Sequence, residues 1–155
     1  IWTSPRALKQ MAANAYDALR TSFPDSVRYT ENYEKLLVRL DSLDTACAEA
    51  LRQANVHTIV IYHPALTYYA ADYGLEQLAV EHDGKEPSAR HLARLIEEAR
   101  RKKVRRVFYQ AQYPASTVKV IAEDIGARSV KIDPLREDVI GNIGEITRQL
   151  TSGNE

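Results

Sequence analysis

The sequence has little of several features that would assign a function directly. It contains one cysteine, Cys47, and therefore forms no internal disulfide and no thiolate metal site of the usual several-cysteine kind. Its 21 basic and 21 acidic residues cancel, so we expect no nucleic acid and no anionic membrane as partner, because both need a basic excess on one face. No apolar run approaches a membrane span, and no signal peptide is evident.

Glycine-rich motifs of nucleotide-binding folds are also missing. The segment after the first predicted strand, Tyr62-His63-Pro64-Ala65, contains no glycine, so neither the dinucleotide fingerprint nor the P-loop is present. No G-x-S-x-G nucleophile elbow occurs in the chain. The usual nucleotide-binding and hydrolase interpretations therefore lose their main support.

The first third of the chain has a helical pattern. Ser4 is a suitable N-cap with Pro5 at the first helical position, and residues 21–24 break the chain. The next segment, 25–53, carries an apolar stripe with a 3.6-residue period. The members of this stripe are Tyr33, Leu36, Leu37, Leu40, Leu43, Cys47, Ala50 and Leu51. A helix of this length spans about 40 Å, more than a compact domain of this size needs, and we interpret it as a strut that joins two bodies.

From Val56 onward, strand and helix patterns alternate. The predicted strands are 56–62, 75–80, 104–109 and 129–132, and the predicted helices are 64–73, 88–102, 115–125 and 137–150. Repeated βα units predict an α/β fold with a four-stranded parallel sheet flanked by helices. A helical hairpin that contains one long linking helix precedes this sheet.

Two metal-competent side chains follow predicted strand ends. His63 follows the first strand and Asp133 follows the fourth. Because the carboxyl ends of parallel strands form the edge where ligands bind, both residues could face one site. By position alone His63 fits a metal ligand or a loop cap equally well, and Asp133 before Pro134 is typical of a turn aspartate. Together on one edge they favour a metal site, since nitrogen and carboxylate donors suit zinc or manganese.

Other polar residues are weaker candidates. His57 precedes the first strand, and His91 lies in the first turn of an exposed helix. His82 follows the second strand, but the segment 81–84 is typical of a solvated loop. Gln110 and Gln112 follow the third strand and could donate hydrogen bonds to a ligating group. The basic run 100–106 lies at a predicted helix C-terminus, where cations complement the helix dipole.

At these residues the chain resembles the metal-binding solute-binding proteins of zinc and manganese ABC importers. Each matching segment is weak alone, but their order and spacing cover essentially the whole chain. The segments are Ile1-Trp2-Thr3-Ser4-Pro5, His63-Pro64-Ala65, Tyr68-Tyr69-Ala70, Tyr73-Gly74-Leu75, Gly84-Lys85-Glu86-Pro87-Ser88, Val107 to Tyr113 and Ile132-Asp133-Pro134-Leu135. The family often has Glu-Pro-Gln after the third strand, where this chain has Gln110-Ala111-Gln112.

The resemblance implies two lobes joined by a rigid helix, with the metal between them. It divides this chain into a remnant helix of a missing N-terminal lobe (1–24), the linking helix (25–53) and the C-terminal α/β lobe (54–155). It places the last two metal ligands on His63 and Asp133, and the preceding family histidine just before Ile1. A histidine at the third ligand position favours Zn²⁺, with Mn²⁺ as the alternative. The site in this chain is then incomplete.

The resemblance also implies a function, a location and partners. We expect a binding protein rather than an enzyme, which delivers metal to the permease of an ABC importer. Its location would be the periplasm or the outer face of the cytoplasmic membrane, in a secreted or lipid-anchored parent. A start at Ile1 without methionine leads us to expect a longer parent.

Three further interpretations stay open at this point. A small α/β enzyme could use His63 and Asp133 as an acid/base pair. The family member could also serve as an adhesin. Without its first lobe, the chain would expose apolar surface on Trp2, Leu8, Met11 and the first half of the strut, and we expect such a surface to promote a homodimer.

Overall fold

The computed structural model describes residues 1–81, 84–113 and 115–152. Its elements are α1 (Pro5–Ser22), α2 (Val27–Gln53), β1 (Thr58–Ile61), α3 (Thr67–Asp72), β2 (Glu76–Ala79), α4 (Ala89–Arg101), β3 (Arg106–Gln110), α5 (Ala115–Asp124), β4 (Arg128–Ile132) and α6 (Val139–Thr151). Every predicted helix and strand is present. No described helix combines the length and apolar character that crossing a membrane requires.

The four strands form one parallel sheet in the order β2-β1-β3-β4. The chain moves outward from β1 to β2, and then crosses back to place β3 on the other side of β1. The order therefore reverses between β1 and β3, and the crevice beside such a reversal is where open α/β sheets bind ligands. The predicted α/β fold with a four-stranded parallel sheet is confirmed.

Successive strand residues point to opposite faces, and each face has its own hydrophobic core. One core lies between the sheet and the helices α2, α3 and α6; its largest members include Ile59, Ile61, Tyr69, Phe108, Ile132 and Ile143. The other lies beneath α4 and α5; its members include Val60, Tyr62, Leu95, Val107, Val118 and Ile121. The result is a three-layer structure in which the central strands β1 and β3 are largely buried and the outer strands β2 and β4 are partly exposed.

The helical hairpin packs on the first of these cores. Ser4 caps α1 by accepting a hydrogen bond from the backbone N–H of Ala7, as predicted. Along α2, Leu40, Cys47 and Leu51 are buried, whereas Val38 is 66% exposed. The apolar stripe of α2 is therefore covered mainly in its second half.

The exposed apolar surface differs in one residue from the sequence expectation. Trp2 and Met11 are exposed, and so is Val27 at the start of α2. Leu8 is instead partly buried, because α1 turns it toward the core beneath α2. The prediction that Leu8 would be uncovered was wrong.

Several element boundaries differ from the predictions for local reasons. The first strand begins at Thr58 rather than Val56, because Val56 donates its N–H back to Leu51 and completes the end of α2. α3 begins at Thr67 rather than at Pro64, where Ala65 instead closes a tight turn onto the carbonyl of His63. α6 begins at Val139, because the side chain of Asp138 caps it.

The same turn leads from a helix into each of the four strands. Asn55, Gly74, Lys103 and Gly126 all have a positive φ, between 51° and 68°. In each turn the following residue donates its N–H to a carbonyl five residues back, as from Val104 to Ala99. This is the helix-ending turn that glycine favours. We call the side of the sheet where the strands begin its amino edge, and the side where they end its carboxyl edge. At the amino edge, these backbone turns fix the path of the chain.

Candidate metal-binding site

His63 lies two residues beyond the end of β1, at the point where the strand order reverses. Gln110, the last residue of the neighbouring strand β3, has a buried side chain that holds the backbone of His63. Gln110 Oε1 accepts from the His63 N–H at 3.3 Å, and Gln110 Nε2 donates to the His63 carbonyl at 2.7 Å. The side-chain amide of Gln110 on β3 therefore fixes the backbone at His63, after β1. Gln110 thus contacts the candidate ligand through the backbone of His63 rather than through its ring, and its support of a metal ligand stays a prediction.

The imidazole of His63 is oriented by a carboxylate. Its Nδ1 lies 2.8 Å from Oε1 of Glu81, which lies two residues beyond the end of β2 and has a side chain only 8% exposed. A carboxylate accepts hydrogen bonds, so it favours the tautomer with the proton on Nδ1 and leaves Nε2 with a free lone pair. Metal-binding histidines are usually held in this way by a second group.

Glu81 was missed in the sequence, where the segment 81–84 was interpreted as a solvated loop. That interpretation was wrong for Glu81, whose side chain lies at the carboxyl edge beside His63. His82 and Asp83 lie outside the described residues. The signal that could have found Glu81 is the one that found His63, since each lies two residues beyond a strand at the same edge.

An aromatic wall completes the surroundings of the imidazole. The ring of Tyr113 stacks on that of His63 at 5.5 Å between centroids, with 16° between the planes. Tyr62 packs against Tyr113 in turn. Burial and the nearby charge of Glu81 raise the pKa of Tyr113, so its hydroxyl is neutral at physiological pH. One face of the imidazole is thereby shielded from water.

The N-terminal segment lies across this same edge. Trp2 donates from Nε1 to the carbonyl of Pro134 at 2.9 Å, and Thr3 donates to the carbonyl of Ala65 at 2.9 Å. Together they tie the loop after β1 to the loop after β4. A cavity of about 390 Å³ opens between them; its lining includes Ile1, Trp2, His63, Gln112, Tyr113 and Leu135.

Asp133 lies at the same edge but is differently placed. It directly follows β4. Because β3 lies between β4 and β1, these two strands are about 10 Å apart in the sheet. Its Oδ1 accepts from the N–H of Leu135 at 3.1 Å, the turn role considered above. It lines a separate groove with Arg136 and Asn142, whereas the cavity beside His63 is lined by its neighbour Pro134.

The structure therefore brings His63, Glu81 and Gln110 together and places Asp133 further along the same edge. Within residues 1–81, 84–113 and 115–152, no three His, Cys, Asp or Glu side chains are grouped closely enough to hold a metal ion. A shared ion between His63 and Asp133 stays a prediction. The carboxylate of Asp133 has a second oxygen that Leu135 does not use.

The weaker histidine candidates lie away from this cavity. His57 Nε2 bonds to Asn55 at the opposite edge of the sheet. His91 Nε2 lies 3.1 Å from the carbonyl of Ala79, at the start of α4. Gln112 lines the cavity but is exposed.

An α/β lobe with an oriented imidazole in a cleft at its strand reversal has the features of a ligand-binding lobe. A family model described as zinc-uptake complex component A, periplasmic (ZnuA), matches residues 1–151. The chain belongs to this family. The likeness to binding proteins of metal importers that the sequence indicated is confirmed, and nothing in the comparisons supports the enzyme alternative.

Individual relatives agree with the family match. The zinc-binding lipoprotein AdcA of Streptococcus pneumoniae is 30% identical over 138 residues, which is 87% of this chain and 28% of AdcA. A crystal structure of ZnuA superimposes with a TM-score of 0.93 at 30% identity, covering 100% of this chain and 61% of that one. The chain thus spans less than two thirds of the length of these proteins.

One further structure shares the fold. The laminin-binding protein Lmb of Streptococcus agalactiae, described as a bifunctional protein with adhesin and metal-transporting activity, has a TM-score of 0.85. It is 23% identical, and the match covers 97% of this chain and 63% of Lmb. At this identity the likeness concerns the fold alone.

Proposed function

We propose that this chain is the C-terminal part of a solute-binding protein that captures Zn²⁺ outside the cytoplasmic membrane. The intact protein would deliver the ion to the permease of an ABC importer. The observation that carries the proposal is His63 at the strand reversal, with its Nδ1 held by the buried Glu81, in a chain of the zinc-uptake family. This arrangement presents Nε2 as a metal ligand.

The proposed ligands from this chain are His63 and Asp133. An imidazole nitrogen and a carboxylate oxygen are both usual zinc donors, at about 2.0–2.2 Å from the ion. The imidazole favours zinc over manganese, which prefers oxygen donors, and Mn²⁺ remains the alternative cargo. Asp133 reaches the shared ion with the oxygen that Leu135 leaves free, or after its turn relaxes.

Two donors do not complete a tetrahedral zinc site, so we propose that the others come from outside this chain. The position of the N-terminal segment supports this, since Ile1 and Trp2 line the same cavity as His63. A histidine directly before Ile1 would enter the site from this side. The missing N-terminal lobe would close the site, and an ion with only side-chain ligands leaves no open position for an activated water, which argues against an enzyme.

The boundaries proposed from the sequence fit this function. Residues 1–24 would be the remnant helix of the first lobe, 25–53 the linking helix and 54–155 the second lobe. The parent would be secreted or lipid-anchored, at the periplasmic or outer face of the membrane. Support for the location comes from the family description and from AdcA, a lipoprotein.

The experiment that tests this function compares two proteins by calorimetry. We expect the 155-residue chain alone to bind Zn²⁺ weakly, and the chain joined to its N-terminal half to bind at least about 100-fold more tightly, because two further donors close the shell. Equal and tight zinc binding by both would contradict the shared site. Replacing Zn²⁺ by Mn²⁺ in the same titration decides between the two cargoes.

We also propose that the chain alone forms a homodimer through its helical hairpin. The exposed apolar side chains of this hairpin include Met11, Leu19, Phe23, Val27 and Val38, and exposed apolar patches promote association. Sedimentation velocity over a hundred-fold concentration range measures this. A Val38→Glu variant should shift the equilibrium toward monomer, and a wild-type chain that stays monomeric throughout would reject the dimer.

A further inference from the structure

A basic groove lies at the amino edge of the sheet, opposite the proposed metal site. It has a volume of about 290 Å³, and its lining contains Lys102, Lys103, Arg105 and Arg106. No aspartate or glutamate is among the described residues that line it. The chain carries no net charge, so the fold has collected positive charge here that the overall balance conceals.

One arginine of this groove, Arg106, lies beside a like charge rather than an opposite charge. Arg106 on β3 is the register partner of Arg128 on β4, which places the two residues side by side about 4.8 Å apart along the sheet. Like charges in such a position destabilise a sheet. Burial, followed by the charge of Arg128, lowers the pKa of Arg106. An anion between these strands would relieve this repulsion.

Ion pairs within the protein neutralise only part of the cluster. Lys102 is paired with Glu76 and Glu98. Lys103, Arg105 and Arg128 have no ion pair with any residue that the structure describes. Within the part of the chain that the structure describes, three cations on the ends of neighbouring elements therefore have no acidic partner.

One hydrogen-bonded arginine and one turn define the backbone around the groove. Arg106 donates from one guanidinium nitrogen to the carbonyls of Gln149 and Leu150, at 2.8 and 3.2 Å, and so ties the groove to the end of α6. Lys103 has a φ of 53°, in a turn where the equivalent positions Gly74 and Gly126 are glycine. A lysine therefore occupies a position where the backbone geometry favours glycine.

We propose that this groove binds a phosphate group. Arginine and lysine side chains around a preformed depression are the usual means of holding phosphate oxygens, through charge-assisted hydrogen bonds. The site lies at the opposite strand ends from His63, so an ion in the metal cleft and a phosphate in the groove do not compete. The inference does not depend on zinc binding.

The test measures binding of two phosphate sources to the metal-free protein. Radiolabelled inorganic phosphate in equilibrium dialysis reports a free anion, and cosedimentation with phosphatidylglycerol–phosphatidylcholine vesicles reports a lipid headgroup. Pure phosphatidylcholine vesicles and chloride at equal ionic strength are the blanks. Binding of either probe above its blank supports the proposal and identifies the source, and binding of neither overturns it.

Variants locate the bound probe. We expect Lys103→Gly and Arg105→Gln each to weaken binding about five-fold, the effect of one cation near an anionic surface. Lys103→Gly removes the charge without straining the turn, so its thermal melting point should not fall, which separates lost binding from lost folding. Lys119→Gln, an exposed lysine on α5, is the matched control. Equal weakening in Lys119→Gln, or full binding in both groove variants, would overturn the assignment.

Discussion

The two edges of the sheet are built by different means. At the amino edge, backbone turns end each helix at Asn55, Gly74, Lys103 and Gly126 and lead into the strands. At the carboxyl edge, side chains fix the backbone, as the amide of Gln110 does at His63. The amino edge is rich in cations, and the carboxyl edge carries an imidazole paired with a carboxylate.

This difference shows how one sheet can carry two kinds of chemistry. Turns closed by backbone hydrogen bonds do not need side chains, and Lys103 and Arg105 form no ion pair with a described residue. Loops held by side chains instead place a particular atom, such as His63 Nε2, in a defined direction. Substitutions at the carboxyl edge should therefore act on metal binding and on loop stability, and those at the amino edge mainly on the turns.

The largest expected effect comes from removing the proposed metal ligand. In the protein that includes its N-terminal half, His63→Ala should weaken zinc binding by at least about 100-fold, since it removes a direct donor. Competition with a chromophoric zinc chelator measures the change. The control is His57→Ala at the amino edge, which should bind zinc as the wild type does. An equal loss of zinc affinity in both variants would contradict the placement of the metal site at the carboxyl edge.

Removing the amide that fixes His63 should affect stability most. Gln110 is 1% exposed, and Gln110→Leu leaves the N–H and carbonyl of His63 without their partners. We expect a loss of about 2 kcal/mol in the free energy of unfolding, measured by urea denaturation. The exposed Gln112→Leu should change it by less than about 0.5 kcal/mol. A small effect of Gln110→Leu would mean that water replaces the amide without loss.

Removing the charge of Glu81, which orients His63, should weaken zinc binding less than removing His63 itself. Glu81→Gln keeps an oxygen that accepts from Nδ1 but removes its negative charge, so we expect about ten-fold weaker zinc binding, or ~1.4 kcal/mol. Glu81→Ala removes the hydrogen bond as well and should approach a 100-fold loss. The chelator competition measures both, with the exposed Glu86→Gln as control. Unchanged affinity in Glu81→Ala would show that the histidine needs no orienting partner.

Much of the fold could be predicted because local signals and the global pattern agree. The alternation of apolar strands with amphipathic helices specifies a parallel sheet, and Ser4 marked a helix start correctly. The boundaries around Val56 and Pro64 could not be predicted, because tertiary hydrogen bonds decide them. The order of the strands depends on packing between distant segments, which no local signal encodes.

The site was predictable only in part, for a physical reason. His63 and Gln110 were found because each follows a predicted strand, although Gln110 proves to be the last residue of β3. Glu81 follows a strand too, but a carboxylate beside Asp83 and Gly84 is usually solvated, and only the closeness of β2 to β1 buries it. The turn contact of Asp133 was among the alternatives that its sequence left open.

The smallest expected effect tests the backbone turns of the amino edge. Lys103→Gly removes a side chain from a left-handed position with a φ of 53°, and the relief of strain exceeds the extra entropy that glycine adds to the unfolded chain. We expect a gain of about 0.5–1 kcal/mol in the free energy of unfolding. Gly126→Ala, whose added Cβ would meet nothing within 4 Å, should lose about 1 kcal/mol through φ alone. Urea denaturation measures both, and a loss in Lys103→Gly would show that the lysine stabilises its turn by contacts that the charge pattern does not reveal.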